Sequence, residues 1–170
     1  MAGIETSGAP VGAAFILDRT AAAALAQELR AAGRAVVFTN GCFDLLHRGH
    51  VDYLRRARAL GDFLFVGLNS DASVRQIKGP GRPILAEAER AAVLAGLRSV
   101  DALVIFGEAT AEALAAAIRP DVYVKGGDWD AGQRTPPEAA VVQSYGGRVV
   151  YLPYLAGRST SEIIAQIRRG

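Results

Sequence analysis

The chain contains two histidines, His47 and His50, three residues apart in Leu46-His47-Arg48-Gly49-His50. On a helix, positions i and i+3 share one face. An imidazole pair at a helix start can offer N–H donors to an anion. It adds to the unpaired backbone N–H groups and the positive end of the helix dipole. That arrangement suits a polyphosphate whose charge grows in a transition state. Gly49 removes a side chain where another backbone or a ligand must come close. Two plainer readings stay open. The rings could simply be packed and satisfied. They could also begin a metal site, although no third ligand is near in sequence and Cys42 stands alone.

Other residues with chemical potential follow the same placement, just after a short apolar run. Asn69-Ser70-Asp71 follows one such run, and Lys125-Gly126-Gly127-Asp128 follows another. Gly157-Arg158-Ser159-Thr160-Ser161 precedes a helical stretch, and Lys78 and Arg82 lie in the loop Lys78-Gly79-Pro80-Gly81-Arg82-Pro83. Each has an ordinary alternative. Asp71 and the Ser/Thr run are good helix caps, Asp128 is a good turn residue, and Lys78 could be a solvated cation. Cys42 reads as a small packing residue, because no histidine is dedicated to it.

The elements that must position these groups alternate. Asp18 can cap a helix running to Ala32, with Gly33 just past its end. Ala35–Phe38, Phe63–Leu68, Ala102–Phe106, Asp121–Val124 and Arg148–Leu152 read as strands. Gly49–Ala59, Ala86–Leu97, Thr110–Ile118, Pro137–Tyr145 and Ser159–Arg169 read as helices, and Asn69–Asp71 opens another. Strands that are apolar on both faces and alternate with helices predict an α/β fold: one Rossmann-like domain of about five parallel strands, helices on both faces. Ligands of such sheets sit beyond the carboxyl ends of the strands, at helix N-termini. The segments Thr39–His50, Asn69–Asp71, Lys125–Asp128 and Gly157–Ser161 all fall at such ends.

Composition narrows the class. The chain has 170 residues, which predicts a single domain, with 1–14 as a flexible N-terminal tail and 15–170 as the folded unit. Nineteen Lys and Arg against 17 Asp and Glu leave a net charge of +2, too mild to argue for nucleic acid or an anionic membrane as partner. One cysteine excludes an internal disulfide and fits a reducing compartment. No apolar run approaches the ~20 residues of a membrane span. The N-terminal stretch carries Glu5 and no early Lys or Arg, unlike a secretory signal. The expectation is a cytoplasmic protein.

The full stretch Thr39-Asn40-Gly41-Cys42-Phe43-Asp44-Leu45-Leu46-His47-Arg48-Gly49-His50 resembles the first motif of the cytidylyltransferase-like nucleotidyltransferases, (T/N)G-x-FD-x-x-H-x-GH. The resemblance runs from about Ala35 to Arg169. Asn69-Ser70-Asp71 with Lys78-Gly79 and Arg82-Pro83 looks like the family's second segment. Glu89-Arg90 and Arg98-Ser99-Val100-Asp101 look like its middle helix and next strand. The Lys125-Gly126-Gly127-Asp128-Trp129 and Gly157-Arg158-Ser159-Thr160-Ser161 versions look most like the ADP-heptose synthase branch. One departure bears on the base. Tyr154 stands where the glycerol-3-phosphate cytidylyltransferase branch has an arginine, which favours ATP over CTP.

The resemblance implies an enzyme that transfers AMP from ATP to D-glycero-β-D-manno-heptose 1-phosphate. His47, His50 and Lys78 would be catalytic. Thr39, Asn40, Gly41, Phe43, Arg90, Lys125, Gly126, Gly127, Asp128, Ser159, Thr160 and Ser161 would line the nucleotide. Asp44, Asn69, Asp71 and Arg82 would serve the acceptor, Asp44 also by orienting the loop ahead of His47. Arg90 would reach the triphosphate or be salt-bridged. Mg²⁺ would be held mainly by the nucleotide phosphates, with no protein metal site. ATP and a sugar 1-phosphate are the expected partners, with no nucleic acid and no membrane. A homodimer stays open, with no interface legible. The rival readings are a cytidylyltransferase for glycerol 3-phosphate or another small phosphate, and a non-catalytic nucleotide-binding module. A class I aminoacyl-tRNA synthetase shares a histidine-Gly-histidine motif, but this chain lacks a Lys-Met-Ser-Lys-Ser segment.

Overall fold

A computed structural model of the chain describes residues 14–126, 135–153 and 160–169. Strands and helices alternate, except that two helices follow β3: β1 (Phe15–Leu17), α1 (Arg19–Ala31), β2 (Val36–Gly41), α2 (Arg48–Arg58), β3 (Phe63–Asn69), α3 (Asp71–Lys78) and α4 (Glu87–Ala95). Then follow β4 (Ala102–Phe106), α5 (Glu112–Ile118), β5 (Val122–Gly126), α6 (Pro137–Ser144), β6 (Arg148–Leu152) and α7 (Thr160–Arg169). The strands form one sheet in the order β1-β4-β3-β2-β5-β6, with every neighbouring pair parallel.

The expected α/β architecture is present, with six strands in place of about five. The extra strand is Phe15–Leu17, which pairs with Ala102–Val104 at the sheet edge. Three residues are too few to show a hydrophobic period, so the strand merges with the stretch before it in sequence. Ala14, grouped with the tail on sequence grounds, is buried, and its N–H donates to Ala95 O at 2.9 Å. Asn69 closes β3, and Ser70 caps α3, its Oγ accepting from the Ser73 N–H at 3.2 Å.

Side-chain alternation along each strand separates two cores, one on each face. Val37, Leu64, Val66, Leu103 and Val124 meet Leu54 and Ala57 of α2 and Ala91 and Leu94 of α4. Val36, Phe38, Phe65, Val104 and Tyr123 meet Ala22 and Ala26 of α1, Leu114 and Ile118 of α5 and Val142 of α6. These buried strands read in sequence as continuous apolar runs because both of their faces are covered.

The topology also locates the site. From β2 the chain winds outward through β3 and β4, then crosses back to lay β5 along the other side of β2. Thr39 is registered against Val66 on one flank and Val124 on the other. The reversal opens a crevice beyond the carboxyl ends of β2 and β5.

Candidate active site

A cavity of about 700 Å³ occupies that crevice. Its walls include Asn40 to Asp44, His47, Gly49 and His50 from the end of β2 and the segment after it, and Lys125 and Gly126 from the end of β5. Asn69, Lys78, Arg82, Glu138, Thr160 and Ser161 complete the ring of polar groups. Residues scattered over 120 positions thus converge on one space, because every parallel strand delivers its following loop to the same edge of the sheet.

His47 is the N-cap of α2, with its Nδ1 accepting from the Gly49 N–H at 3.1 Å. An accepting Nδ1 leaves Nε2 as the N–H donor of the neutral ring. The His50 ring stacks on it with centroids 3.9 Å apart, and Phe43 packs edge-on to His50 at 5.3 Å. Burial depresses the His50 pKa to about 4, and the neighbouring His47 and Lys78 push in the same direction. This environment favours the neutral form of His50 at physiological pH. Its Nδ1 is buried without a hydrogen-bond partner. Phe43 sustains this packing with a left-handed backbone, φ 43°, which is uncommon for a bulky residue and concentrates at functional loops.

Asp44 fixes the facing loop. Its carboxylate accepts from the Ile84 N–H at 2.8 Å, the Leu85 N–H at 3.0 Å and Arg82 Nε at 2.6 Å. Desolvation works against this charge, but the Leu85 and Ile84 N–H groups and Arg82 outweigh it and hold the carboxyl below its usual range. The loop from Lys78 to Leu85 is thus tied to the histidine segment at its far end. At its near end Gly79 takes φ +94°, a conformation that releases the chain from α3.

On the floor of the cavity, Asn40 Oδ1 accepts from the Tyr123 hydroxyl at 2.7 Å and from Lys125 Nζ at 3.2 Å. Gly67 on the adjacent strand makes room for this group, since a Cβ there would lie 3.2 Å from Asn40 Cβ. Burial lowers the Lys125 pKa, while the charge of Glu138 opposes the shift. Burial also raises the Cys42 thiol, against the pull of Lys78, Arg90 and Arg82, which keeps it protonated.

Three residues placed at the ligand on sequence grounds do not line this cavity. Thr39 has no exposed surface, and its hydroxyl bonds the Tyr53 hydroxyl at 2.7 Å, which in turn donates to Val124 O at 3.0 Å. The chain of bonds stitches β2, α2 and β5 together. Arg90 is 1% exposed and turned inward. Its guanidinium donates to Leu85 O at 3.0 Å, Cys42 O at 2.6 Å, Asn69 O at 2.9 Å and Asp71 Oδ1 at 2.7 Å. Four of its five N–H groups are committed to the protein, so Arg90 braces the site rather than reaching a phosphate. Asp71 is its counter-ion. Gly127, Asp128, Tyr154 and Ser159 lie outside the described residues.

Glu138 went unnoticed in the sequence. It is 2% exposed, its Oε1 accepts from the Ala111 N–H at 2.8 Å, and its Oε2 is buried without a hydrogen-bond partner. In Pro136-Pro137-Glu138 the residue looks like any acid in the first turn of a helix. Among the described residues no three His, Cys, Asp or Glu side chains converge as a metal site would require. No helix among them is long and apolar enough to cross a membrane.

Residues 38–165 match the cytidylyltransferase-like family. The chain belongs to that family. The match confirms the resemblance carried by Thr39–His50, and it covers every described cavity residue. This family member is 53% identical over 154 residues to the bifunctional protein HldE of Geotalea uraniireducens, over 91% of its own length and 31% of that protein. It is 54% identical over 142 residues to the bifunctional protein HldE of Syntrophotalea carbinolica, over 81% and 28% of the two chains. It therefore spans about a third of the length of these curated relatives. The crystal structure of the lipopolysaccharide core biosynthesis protein from Thermoplasma volcanium GSS1 superposes with a TM-score of 0.58 at 28% identity, covering 72% of this chain and 98% of that one.

Proposed function

We propose that this cytidylyltransferase-like protein is a sugar-1-phosphate adenylyltransferase that forms ADP-heptose and pyrophosphate from MgATP and D-glycero-β-D-manno-heptose 1-phosphate. The observation that carries the reading is the stacked His47–His50 pair at the N-terminus of α2, at the β2/β5 crevice, with Lys78 and Lys125 in the same cavity wall. The choice of ADP-heptose rests on the Lys125–Asp128 and Gly157–Ser161 segments. It is supported by about 50% identity to bifunctional HldE proteins.

In this reaction an oxygen of the sugar phosphate attacks the α-phosphorus of ATP. The bond from that phosphorus to the bridging oxygen breaks, and pyrophosphate leaves with the electron pair. The nucleophile is already an anion, so no strong general base is required. In-line positioning and charge stabilisation do the catalysis. His47 and His50 donate to the α- and β-phosphate oxygens. Lys78 meets the charge developing on the leaving group. Thr160 and Ser161, at the start of α7, hold the distal phosphates by hydroxyl and backbone N–H groups. Asn40, Lys125 and Gly126 lie along the nucleoside. The magnesium ion arrives with ATP, coordinated by phosphate oxygens.

The test is pyrophosphate release with Mg²⁺, ATP or CTP, and one of three acceptors: the β-heptose 1-phosphate, its α-anomer, or glycerol 3-phosphate. Release confined to ATP and the β-anomer is expected. Release with CTP and glycerol 3-phosphate keeps the chemistry and overturns the substrate. Nucleotide binding without release for any acceptor overturns the enzymatic reading.

A further inference from the structure

The active-site cavity spans both faces of the sheet. His47 and His50 start α2, which packs on one face, while Glu138 lies in the first turn of α6, which packs on the other. Toward α6 the wall includes Asn40, Ala109, Thr110, Lys125, Pro137 and Glu138. Tyr123 belongs to the core of that face, and its hydroxyl donates to Asn40 Oδ1, which Lys125 Nζ also reaches.

Glu138 is 2% exposed within this wall, and its two oxygens are unequal. Oε1 accepts from the Ala111 N–H at 2.8 Å, whereas Oε2 is buried without a partner. Burial, helped by the charge of Glu138, keeps the Tyr123 hydroxyl protonated, but its one proton goes to Asn40 at 2.7 Å. A buried acceptor left unpaired is costly and calls for a reason. Water does not reach this oxygen, so a donor carried in by a ligand has none to displace from it. A carboxylate accepts only, and it repels phosphate. The donors of a nucleotide are its ribose hydroxyls and any exocyclic amine on its base. The ribose is one CH₂–O link from the α-phosphate and stays near the strand ends. The base reaches further, to the α6 side, where Ala109 and Pro137 offer apolar surface to a ring.

We propose that Glu138 Oε2 accepts a hydrogen bond from the exocyclic amine of the nucleotide base, and that this contact rejects bases with an oxo group in its place. For ATP the donor is the 6-amino group. CTP carries a like donor on its 4-amino group, so the contact excludes ITP, GTP and UTP and leaves the choice between ATP and CTP to other groups. The inference rests on the nucleotide placement given above and specifies its base end. Glu138→Gln inverts the contact. The Ala111 N–H still demands an acceptor, so the amide oxygen takes the place of Oε1 and the NH₂ takes that of Oε2.

The test is calorimetric titration, without acceptor, with the magnesium complexes of ATP, ITP and purine riboside triphosphate, which lacks the amine. Wild type should bind ATP at least about tenfold more tightly than either analogue, the loss associated with one hydrogen bond to a charged group. Glu138→Gln should bind ITP at least as tightly as ATP, with a thermal melt to check the fold. The wild-type comparison stands even where the variant does not fold. Equal wild-type affinity for all three overturns the proposal, as does an ATP preference unchanged in a folded variant. Loss of affinity on 2′- or 3′-deoxyATP but not on purine riboside triphosphate also overturns it, moving Glu138 to the ribose. No nucleotide binding by wild type overturns it outright. Because binding is read without turnover, failure to use the heptose phosphate leaves this result standing.

Discussion

Arg90 and Asp71 form an ion pair of 2.7 Å between α4 and the first turn of α3, with the arginine side chain wholly buried. The same guanidinium holds the carbonyls of Cys42, Asn69 and Leu85. It therefore joins the ends of β2 and β3 to the segment that closes the Lys78 loop. Arg90→Met keeps the length of the side chain and removes every donor. Stripping one partner from a buried ion pair costs about 3–5 kcal/mol. Urea unfolding should show a loss of that size. An unchanged midpoint with abolished ATP binding would instead return Arg90 to the triphosphate.

Removal of the His50 donor should act on the transition state. One such donor typically contributes about 10²–10³ in turnover. His50→Ala is expected to lower kcat by that factor with a much smaller change in KM for ATP. Steady-state pyrophosphate release reads both constants, and equal losses in each would refute a role specific to the transition state.

The depressed pKa of His50 makes stability depend on pH. The folded protein holds this ring neutral down to about pH 4, with burial, His47 and Lys78 all opposing the charge. The unfolded chain protonates it near 6.5. Between those values the unfolded state binds more protons, so stability rises with pH through that window. The slope attributable to one group approaches about 1.4 kcal/mol per pH unit. Denaturation curves from pH 4 to 7 should flatten in His50→Gln relative to wild type. On the proposed reading, ATP phosphates beside His50 would favour the imidazolium, and binding at pH 6 should take up a proton measurable by calorimetry in two buffers.

Glu138 is the acid that bears on Lys125. Burial lowers the lysine pKa, and the carboxylate limits the drop. Glu138→Gln preserves the acceptor for the Ala111 N–H and removes the charge. The lysine should then lose its proton at lower pH. The rise of KM for ATP on the alkaline side should begin at lower pH than in wild type. Coincident profiles would reduce Glu138 to a cap on the start of α5.

Much of this site is legible in the sequence because it depends on local order. His47, His50 and Asn40 sit within one motif between a strand and a helix, and the strands on either side are unbroken apolar runs. Lys78 and Arg82 are marked by the glycines and prolines around them. What resists reading is direction and partnership. Arg90 occurs on the same helix whether it turns to a phosphate or to Asp71, and only the packing of α4 against β3 and β4 decides. Thr39 precedes Asn40 in β2 by one residue, so the pleat sends its side chain to the opposite face, toward Tyr53. Glu138 carries no local signal, since its burial comes from α5, a contact 27 residues away in sequence. Phe15–Leu17 is too short to declare itself.

The reversal of strand order has a consequence for assembly of the chain during synthesis. The β2–β5 seam is closed by mutual hydrogen bonds between Val36 and Asp121, 85 residues apart, at 2.7 and 2.9 Å. The strands β1 to β4 need nothing beyond Phe106 to complete their own pairings. Long-range pairings carry the largest loop-closure entropy and form slowly. A nascent chain can therefore zip four strands together before β5 has left the ribosome. The candidate groove therefore takes shape only once β5 closes on β2, and a ligand that fills it would favour the extended sheet over its four-strand precursor.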